Sequence, residues 1–297
     1  MILVTGAAGK TGKAVVKALA AKGASVRALI RRPEQAATLK ALGVAEVSLG
    51  SFDDPRSLLL AAAGTQVIYH ICPNVSRDEL NFARAVTVAA LAQNVKRFVY
   101  HSVLHPQIEA MPHHWAKMRA EEMLLAAGLD LTILQPTAYM QNLFGAWRGI
   151  VEDGVLRVPY PADTRLSLVD LDDVAEVAAR VLTEDGHVSA TYELVGTSPL
   201  SQTEIATAIS AALNRDISVA AESVETWEAR ARAAGMGEHQ RVTLAAMFRY
   251  YARHGLIGNP RTLRWLLGRA PNNLAHFVAV HDNSLTARQN LTGRRRS

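Results

Sequence analysis

The sequence predicts an α/β protein, a doubly wound parallel sheet followed by a second, smaller α+β lobe. Three observations predict it. Short apolar runs alternate with amphipathic stretches through the first half of the chain, the pattern of strands joined by crossover helices. A glycine-rich turn, Gly6 to Gly12, joins the first run to the first amphipathic stretch. The alternation then stops at Pro136. With 297 residues, 49% hydrophobic and 20% charged, the composition is that of an ordinary globular chain. It excludes a disordered chain, a collagen-like repeat and a small disulfide scaffold.

Each element follows from its own residues. Ile2 to Thr5 is a short buried strand. Thr11 to Lys22 is a helix with Val15, Val16 and Leu19 on one face, and Gly23 closes it. Ser25 to Ile30 is the second strand, Glu34 to Leu42 a helix, and Glu46 to Leu49 the third strand. Asp54-Pro55 opens the next helix, which ends by Gly64. Gln66 to Ile71 and Arg97 to Ser102 are strands four and five, separated by a long helix from Asp78 to Gln93. His113 to Ala127 is helical, and Leu131 to Gln135 is strand six. After Pro136 a helix is expected from Tyr139 to Glu152, then short strands near 155–158 and 165–169. Asp170 or Asp172 opens a helix through Leu182, and Thr191 to Val195 is a strand. Ser201-Gln202-Thr203-Glu204 matches a capping box for a helix to Leu213, and Thr226 to His254 is mostly helical. The expected division is residues 1–136 as a dinucleotide-binding domain and 137–297 as a mostly helical substrate lobe, with elements in 170–197 returning to the first domain.

The net charge of +5 owes much to Arg294, Arg295 and Arg296, a tail read as solvated rather than as a nucleic-acid footprint. A single cysteine, Cys72, allows no intramolecular disulfide and suits a reducing, cytoplasmic setting. No secretory signal opens the sequence, since Met1-Ile2-Leu3-Val4 runs straight into the glycine turn. The longest uncharged run, Ser57 to Ser76, contains Gly64, Gln66, His70, Pro73 and Asn74, so it reads as helix, turn and strand rather than a membrane span. Neither a nucleic acid nor a membrane is expected as a partner.

Gly6-Ala7-Ala8-Gly9-Lys10-Thr11-Gly12 spells G-x-x-G-x-x-G between a strand and a helix. Glycine there permits the tight turn, lets backbone approach a diphosphate, and lets the helix pack on the sheet. The helix N-terminus adds free N–H groups and a partial positive charge. This is the dinucleotide fingerprint of a Rossmann sheet. The candidate cofactor-binding residues of the turn are Thr5, Gly6, Ala8, Gly9, Lys10, Thr11 and Gly12. NAD-binding proteins place an acid at the end of the second strand; this chain has Arg27, Arg31 and Arg32 and no acid until Glu34. A guanidinium pairs with a 2′-phosphate, so NADPH/NADP is the expected cofactor, ahead of NADH.

The chain resembles the NmrA-like group of atypical short-chain dehydrogenases/reductases. The resemblance rests on Val4 to Gly12, Val26 to Arg31, His113-His114 through Lys117 to Glu121, Leu131 to Asn142, Asp170 to Ala179, and Leu266 to Pro271 near the end. It implies an NAD(P)H-dependent reductase that passes hydride to a small apolar or aromatic acceptor such as a quinone, imine, dye or carbonyl. The same group also contains nucleotide-sensing regulators, so a redox sensor acting on a protein partner without turnover is the alternative. The resemblance adds Ser51, Phe52, Cys72 and Pro73 to the cofactor contacts. Two departures stand out. Gly50-Ser51 carries a hydroxyl where the group often has an acid, and Gln135 stands where it usually has Arg.

Typical short-chain dehydrogenases use Tyr-x-x-x-Lys, and none of the seven lysines here has Tyr four positions before it. At Lys117 that place holds His113. Two roles follow: His113 or His114 donates the proton while Lys117 holds the ribose, or Lys117 only binds cofactor and the proton comes from water. Ser102, at the end of strand five, and Trp115, Tyr139, Met140 and Phe144, around the nicotinamide end, are the candidate substrate contacts. His101, His105, His113 and His114 lack the spacing of a metal site, so no metal is expected. A monomer or homodimer is expected.

Overall fold

The computed structural model describes residues 1–282; the arginine tail lies outside the described residues. The first half alternates as β1 (Ile2–Val4), α1 (Lys10–Ala21), β2 (Val26–Ile30), α2 (Gln35–Ala41), β3 (Glu46–Leu49), α3 (Pro55–Ala62), β4 (Val67–His70), α4 (Glu79–Ala92), β5 (Arg97–His101), α5 (Pro112–Leu125) and β6 (Asp130–Pro136). Asp54 caps α3, accepting from the N–H groups of Arg56 and Ser57, with Pro55 at the first helical position. Beyond Pro136, α6 (Leu171–Thr183) and β10 (Thr191–Leu194) join the same body. β10 pairs in parallel with β6, from Thr191 opposite Ile133 to Leu194 opposite Pro136.

The result is one seven-stranded parallel sheet in the order β10-β6-β5-β4-β1-β2-β3. Apolar side chains cover both faces. Val4, Val16, Leu19 and Tyr69 meet Val174, Val177 and Leu263 on one face, which α1, α6 and α10 (Arg261–Leu267) cover. Leu3, Ile68, Phe98 and Tyr100 meet Leu58, Val86 and Leu124 of α3, α4 and α5 on the other. Burial on both sides explains why the strands read as continuous apolar runs. The strand order reverses at β1, so the carboxyl ends of β1 and β4 frame the crevice where such sheets take ligands.

A second body of core contains Leu104, Met111, Met140, Trp147, Leu156, Ile205, Tyr251 and Phe277. Around it lie β8 (Val155–Val158), α7 (Gln202–Leu213), β11 (Ser218–Ala221), α8 (Val224–Ala233) and α9 (Glu238–His254). Ser201 and Glu204 form the expected capping box of α7. Two elements correct the sequence reading, and a third adds a strand where it assigned none. Tyr139 to Glu152 is not one α-helix. Ala138 and Tyr139 form a two-residue strand, β7, held extended by pairing with β9 (Leu168–Val169); a 3-10 helix, Met140–Gly145, and a wide π turn, Gly149–Asp153, follow. Gly145 and Gly149 weaken any continuous helix there. The strand expected over 165–169 shrinks to β9. β11, an alanine-containing segment with weak strand character, pairs with β8 only because the lobe brings them together.

Candidate active site

The glycine turn sits at the mouth of the crevice, and its glycines divide the work. Gly6 has φ +60°, and a Cβ there would lie 2.6 Å from the Ile71 carbonyl oxygen. A Cβ on Gly12 would strike the backbone of Gly6 and Ala7, so Gly12 lets α1 pack on the turn. Gly9 is exposed, and a Cβ there would meet only the Gly6 oxygen, at 3.3 Å. It is therefore the open side of the turn, beside the unpaired first N–H groups of α1. Thr5 is buried and holds β1 to β4: its hydroxyl bonds His70 Nδ1 at 2.9 Å and accepts from the Ile71 N–H at 3.0 Å.

The three arginines separate as well. Arg27 is consumed by Glu46, at 2.7 Å, and by the Ala61 and Ala63 carbonyls. Arg32 pairs with Glu34 at 3.2 Å. The exposed Arg31 guanidinium, just past the end of β2, has no protein partner among the described residues. Ser51 is half-buried nearby. Phe52 is largely core, stacked on Phe82 with centroids 5.0 Å apart and set edge-on to His70. Cys72 is buried, with its thiol pushed far up by burial, and Pro73 is exposed.

The β4 and β5 ends each carry a Tyr-His dipeptide, Tyr69-His70 and Tyr100-His101. His70 lies opposite Tyr100 in the register. Because side chains alternate across a sheet, each dipeptide sends one residue to each face. On the α4/α5 face, Tyr100 donates to Glu79 Oε1 at 2.6 Å. Lys117 donates to the same oxygen at 2.9 Å and to the His101 carbonyl at 3.1 Å. Its Nζ lies 5.2 Å from the Tyr100 ring centroid. Burial pushes the Glu79 carboxyl up, but the Lys117 ammonium and the Tyr100 hydroxyl outweigh it and hold it below its usual range. So a tyrosine does stand beside Lys117, from strand β5 rather than from one turn back on α5, with its hydroxyl committed to Glu79.

On the α1/α6 face, Tyr69 Oη lies 2.7 Å from His101 Nδ1, and Tyr139 Oη lies 2.7 Å from His101 Nε2. Lys10, from the glycine turn, stands over the Tyr139 ring at 5.4 Å and donates to Asn142 Oδ1 at 3.2 Å. Sequence spacing could not reveal Glu79, Tyr69, Tyr100 or His101, which meet only through strand pairing. The repeated Tyr-His at two strand ends, polar pairs in apolar runs, was the available signal.

The other candidates are placed as follows. His114 is buried, with Nδ1 3.2 Å from the His105 carbonyl oxygen. His113 is half-buried and its Nδ1 has no partner. Burial, with smaller help from Lys117, pushes His113 down to about 3; burial pushes His114 down to about 4. Both rings are thus held neutral near pH 7, each carrying the single hydrogen of the neutral imidazole. Ser102 does not face an open site: it is buried and donates to Glu121 in a short hydrogen bond. Gln135 donates to both Glu121 oxygens at 3.0 Å, so the unusual Gln serves that carboxylate. Met140 is fully buried in the second core and is not a lining residue, whereas Trp115, Tyr139 and Phe144 keep part of their surface. Next to Met140, Gln141 donates to Asp170 at 2.6 Å, and Asp170 also accepts from Asn272 at 3.0 Å, tying the 140s segment to the C-terminal stretch.

The crevice suits a phosphorylated dinucleotide: an open glycine, a helix N-terminus aimed at the turn, and an unpaired guanidinium at the end of β2. Comparison with known proteins agrees. A model of the NmrA-like family matches residues 1–281. The NAD(P)H azoreductase of Xenophilus azovorans is 29% identical over 95% of this chain and 98% of its own length. The NADPH-dependent quinone oxidoreductase of Escherichia coli, solved with NADPH, superposes with a TM-score of 0.84 at 27% identity, covering 94% of this chain and 99% of that one. The Citrobacter sp. triphenylmethane reductase, solved with NADP(H), gives 0.83 at 26% identity, again over 94% and 99%.

Proposed function

The chain belongs to the NmrA-like family, and on that premise we propose that it is an NADPH-dependent reductase of flat aromatic acceptors, of the azo, quinone or cationic dye kind. It is an oxidoreductase with a Rossmann-type sheet, related over nearly its whole length to NAD(P)H-dependent reductases. The observation that carries the cofactor choice is the free Arg31 guanidinium at the end of β2, where an acid would favour NADH.

Bound cofactor supplies hydride. The chain supplies the rest. Gly9 and the first turn of α1 hold the diphosphate. Arg31 takes the 2′-phosphate. Lys117 has three N–H donors, two of which go to Glu79 and the His101 carbonyl; the third is left for a ribose hydroxyl. Trp115, Tyr139 and Phe144 flank the acceptor. No helix among the described residues is long and apolar enough to cross a membrane. A cytoplasmic protein, monomeric or homodimeric, completes the reading, and the one buried cysteine supports it.

The test is NADPH oxidation against a panel of azo dyes, quinones and triarylmethane cations, with calorimetry of NADP⁺ and NAD⁺ binding. Turnover of at least one class, with tighter binding of the phosphorylated cofactor, is expected. Tight binding without turnover of any acceptor would instead favour a sensor that acts through a protein partner.

A further inference from the structure

We propose that Tyr139 is the proton donor of the reductive step, with His101 and Tyr69 as positioning residues that aim its hydrogen into the crevice. The inference rests on the reductase reading above and goes beyond it by naming the acid.

The argument starts at Tyr69. Its side chain is wholly buried, and the partner of its hydroxyl among the described residues is His101 Nδ1, at 2.7 Å. A buried phenol left without an acceptor would forfeit its hydrogen bond at a cost of about 1–3 kcal/mol. Tyr69 therefore donates, and Nδ1 accepts. Burial pushes His101 down to about 3, so the ring is neutral and carries one hydrogen. That hydrogen must then sit on Nε2. Nε2 is 2.7 Å from Tyr139 Oη, so His101 donates to the Tyr139 oxygen. The Tyr139 hydroxyl accepts at that end, and its own hydrogen is turned away from His101.

The surroundings suit an acid. Tyr139 is half-buried, unlike Tyr69 and His101, and burial keeps its phenol protonated at rest. When the proton leaves, the phenolate finds the His101 Nε2–H, the neighbouring Thr11 hydroxyl in the first turn of α1, and the Lys10 ammonium 5.4 Å from its ring centroid. Each stabilises the anion, and the α1 N-terminus adds a partial positive charge. Tyr100, the tyrosine beside Lys117, is excluded because its hydrogen goes to the buried Glu79.

The step balances. An azo acceptor takes hydride, with its electron pair, from the reduced nicotinamide onto one nitrogen. The N=N π bond breaks, and the second nitrogen takes the proton as the Tyr139 O–H bond breaks. The product is a hydrazine, the nicotinamide is oxidised, and water reprotonates the phenolate after product leaves. A triarylmethane cation needs only the hydride, because adding it to the central carbon already gives a neutral product.

The difference between those two acceptors is the test. Tyr139→Phe keeps the ring and removes the acid. It is expected to lose about 100-fold in kcat for an azo dye, at least tenfold more than it loses for a triarylmethane cation. Equal losses for both would overturn the proposal, as would a wild type that reduces the cation but not the azo dye. A wild type that reduces neither of these nor a quinone sinks the reductase reading instead. The hydrogen-bond direction is then still decided without turnover, by nitrogen NMR of the His101 ring in the cofactor-free protein, assigned with His101→Gln. A hydrogen on Nε2 is expected, and Tyr69→Phe should allow it to move to Nδ1. A hydrogen on Nδ1 in the wild type would overturn the proposal, because Tyr139 would then be donating to His101.

Discussion

Lys117 Nζ and Glu79 Oε1 meet at 2.9 Å although the two residues stand 38 positions apart, and both side chains are buried. Glu79 opens α4 and Lys117 lies on α5, so the pair locks two helices on one face of the sheet. Removing one member of a buried pair strands the other charge and costs about 3–5 kcal/mol. Glu79→Ala is expected to lose stability in that range by denaturant unfolding and to weaken cofactor binding, since Lys117 loses its anchor. A variant within about 1 kcal/mol of wild type would show that Lys117 is held in some other way.

Arg31 is the sharper probe of cofactor choice. A charge-assisted hydrogen bond contributes about 1.5–3 kcal/mol. Arg31→Ala is therefore expected to weaken NADPH binding by roughly 10- to 100-fold and to leave NADH binding nearly unchanged. Calorimetry with both cofactors measures the ratio. If the variant loses affinity equally for both, the guanidinium is not reading the 2′-phosphate.

Two glycines of the turn are expected to respond in opposite ways. Gly6→Ala places a Cβ at φ +60° and 2.6 Å from the Ile71 oxygen. It should cost more than about 1–2 kcal/mol of stability. Gly9→Ala meets only the Gly6 oxygen, at 3.3 Å. It should keep stability within about 1 kcal/mol while obstructing the diphosphate. Thermal unfolding of the free variants, set beside their NADPH affinities, separates the two effects.

Stability should fall with acid. Burial pushes His70 down to about 4 and His101 down to about 3. Below the unfolded value near pH ~6.5 the unfolded chain binds protons that the folded one refuses. The contribution of each ring is thus fully present above about pH 6.5 and is lost as pH falls toward the folded value, at up to about 1.4 kcal/mol per pH unit per ring. Urea unfolding at a series of pH values reads this directly. A stability that stays level from about pH 7 to 5 would mean that neither ring is kept neutral by the fold.

Much of this protein was determined by local sequence. The alternation through Pro136 encodes the parallel sheet, because each strand must be buried on both faces and each helix on one. The glycine turn from Gly6 to Gly12 and the position of Arg31 just past β2 were legible too, because a turn and a strand exit are read from neighbouring residues. The cap at Asp54 and the capping box at Ser201 are local for the same reason. Tertiary structure alone decided the tyrosine–histidine cluster at the ends of β4 and β5. Parallel pairing sets β4 beside β5, so that Tyr69 meets His101 and His70 meets Tyr100, and the turn after β6 brings Tyr139 to the other side of His101. Such contacts depend on register between strands far apart in the chain, and no spacing within a single helix could announce them. The same cause hid β7 and β11, whose residues become strands only because a partner lies alongside.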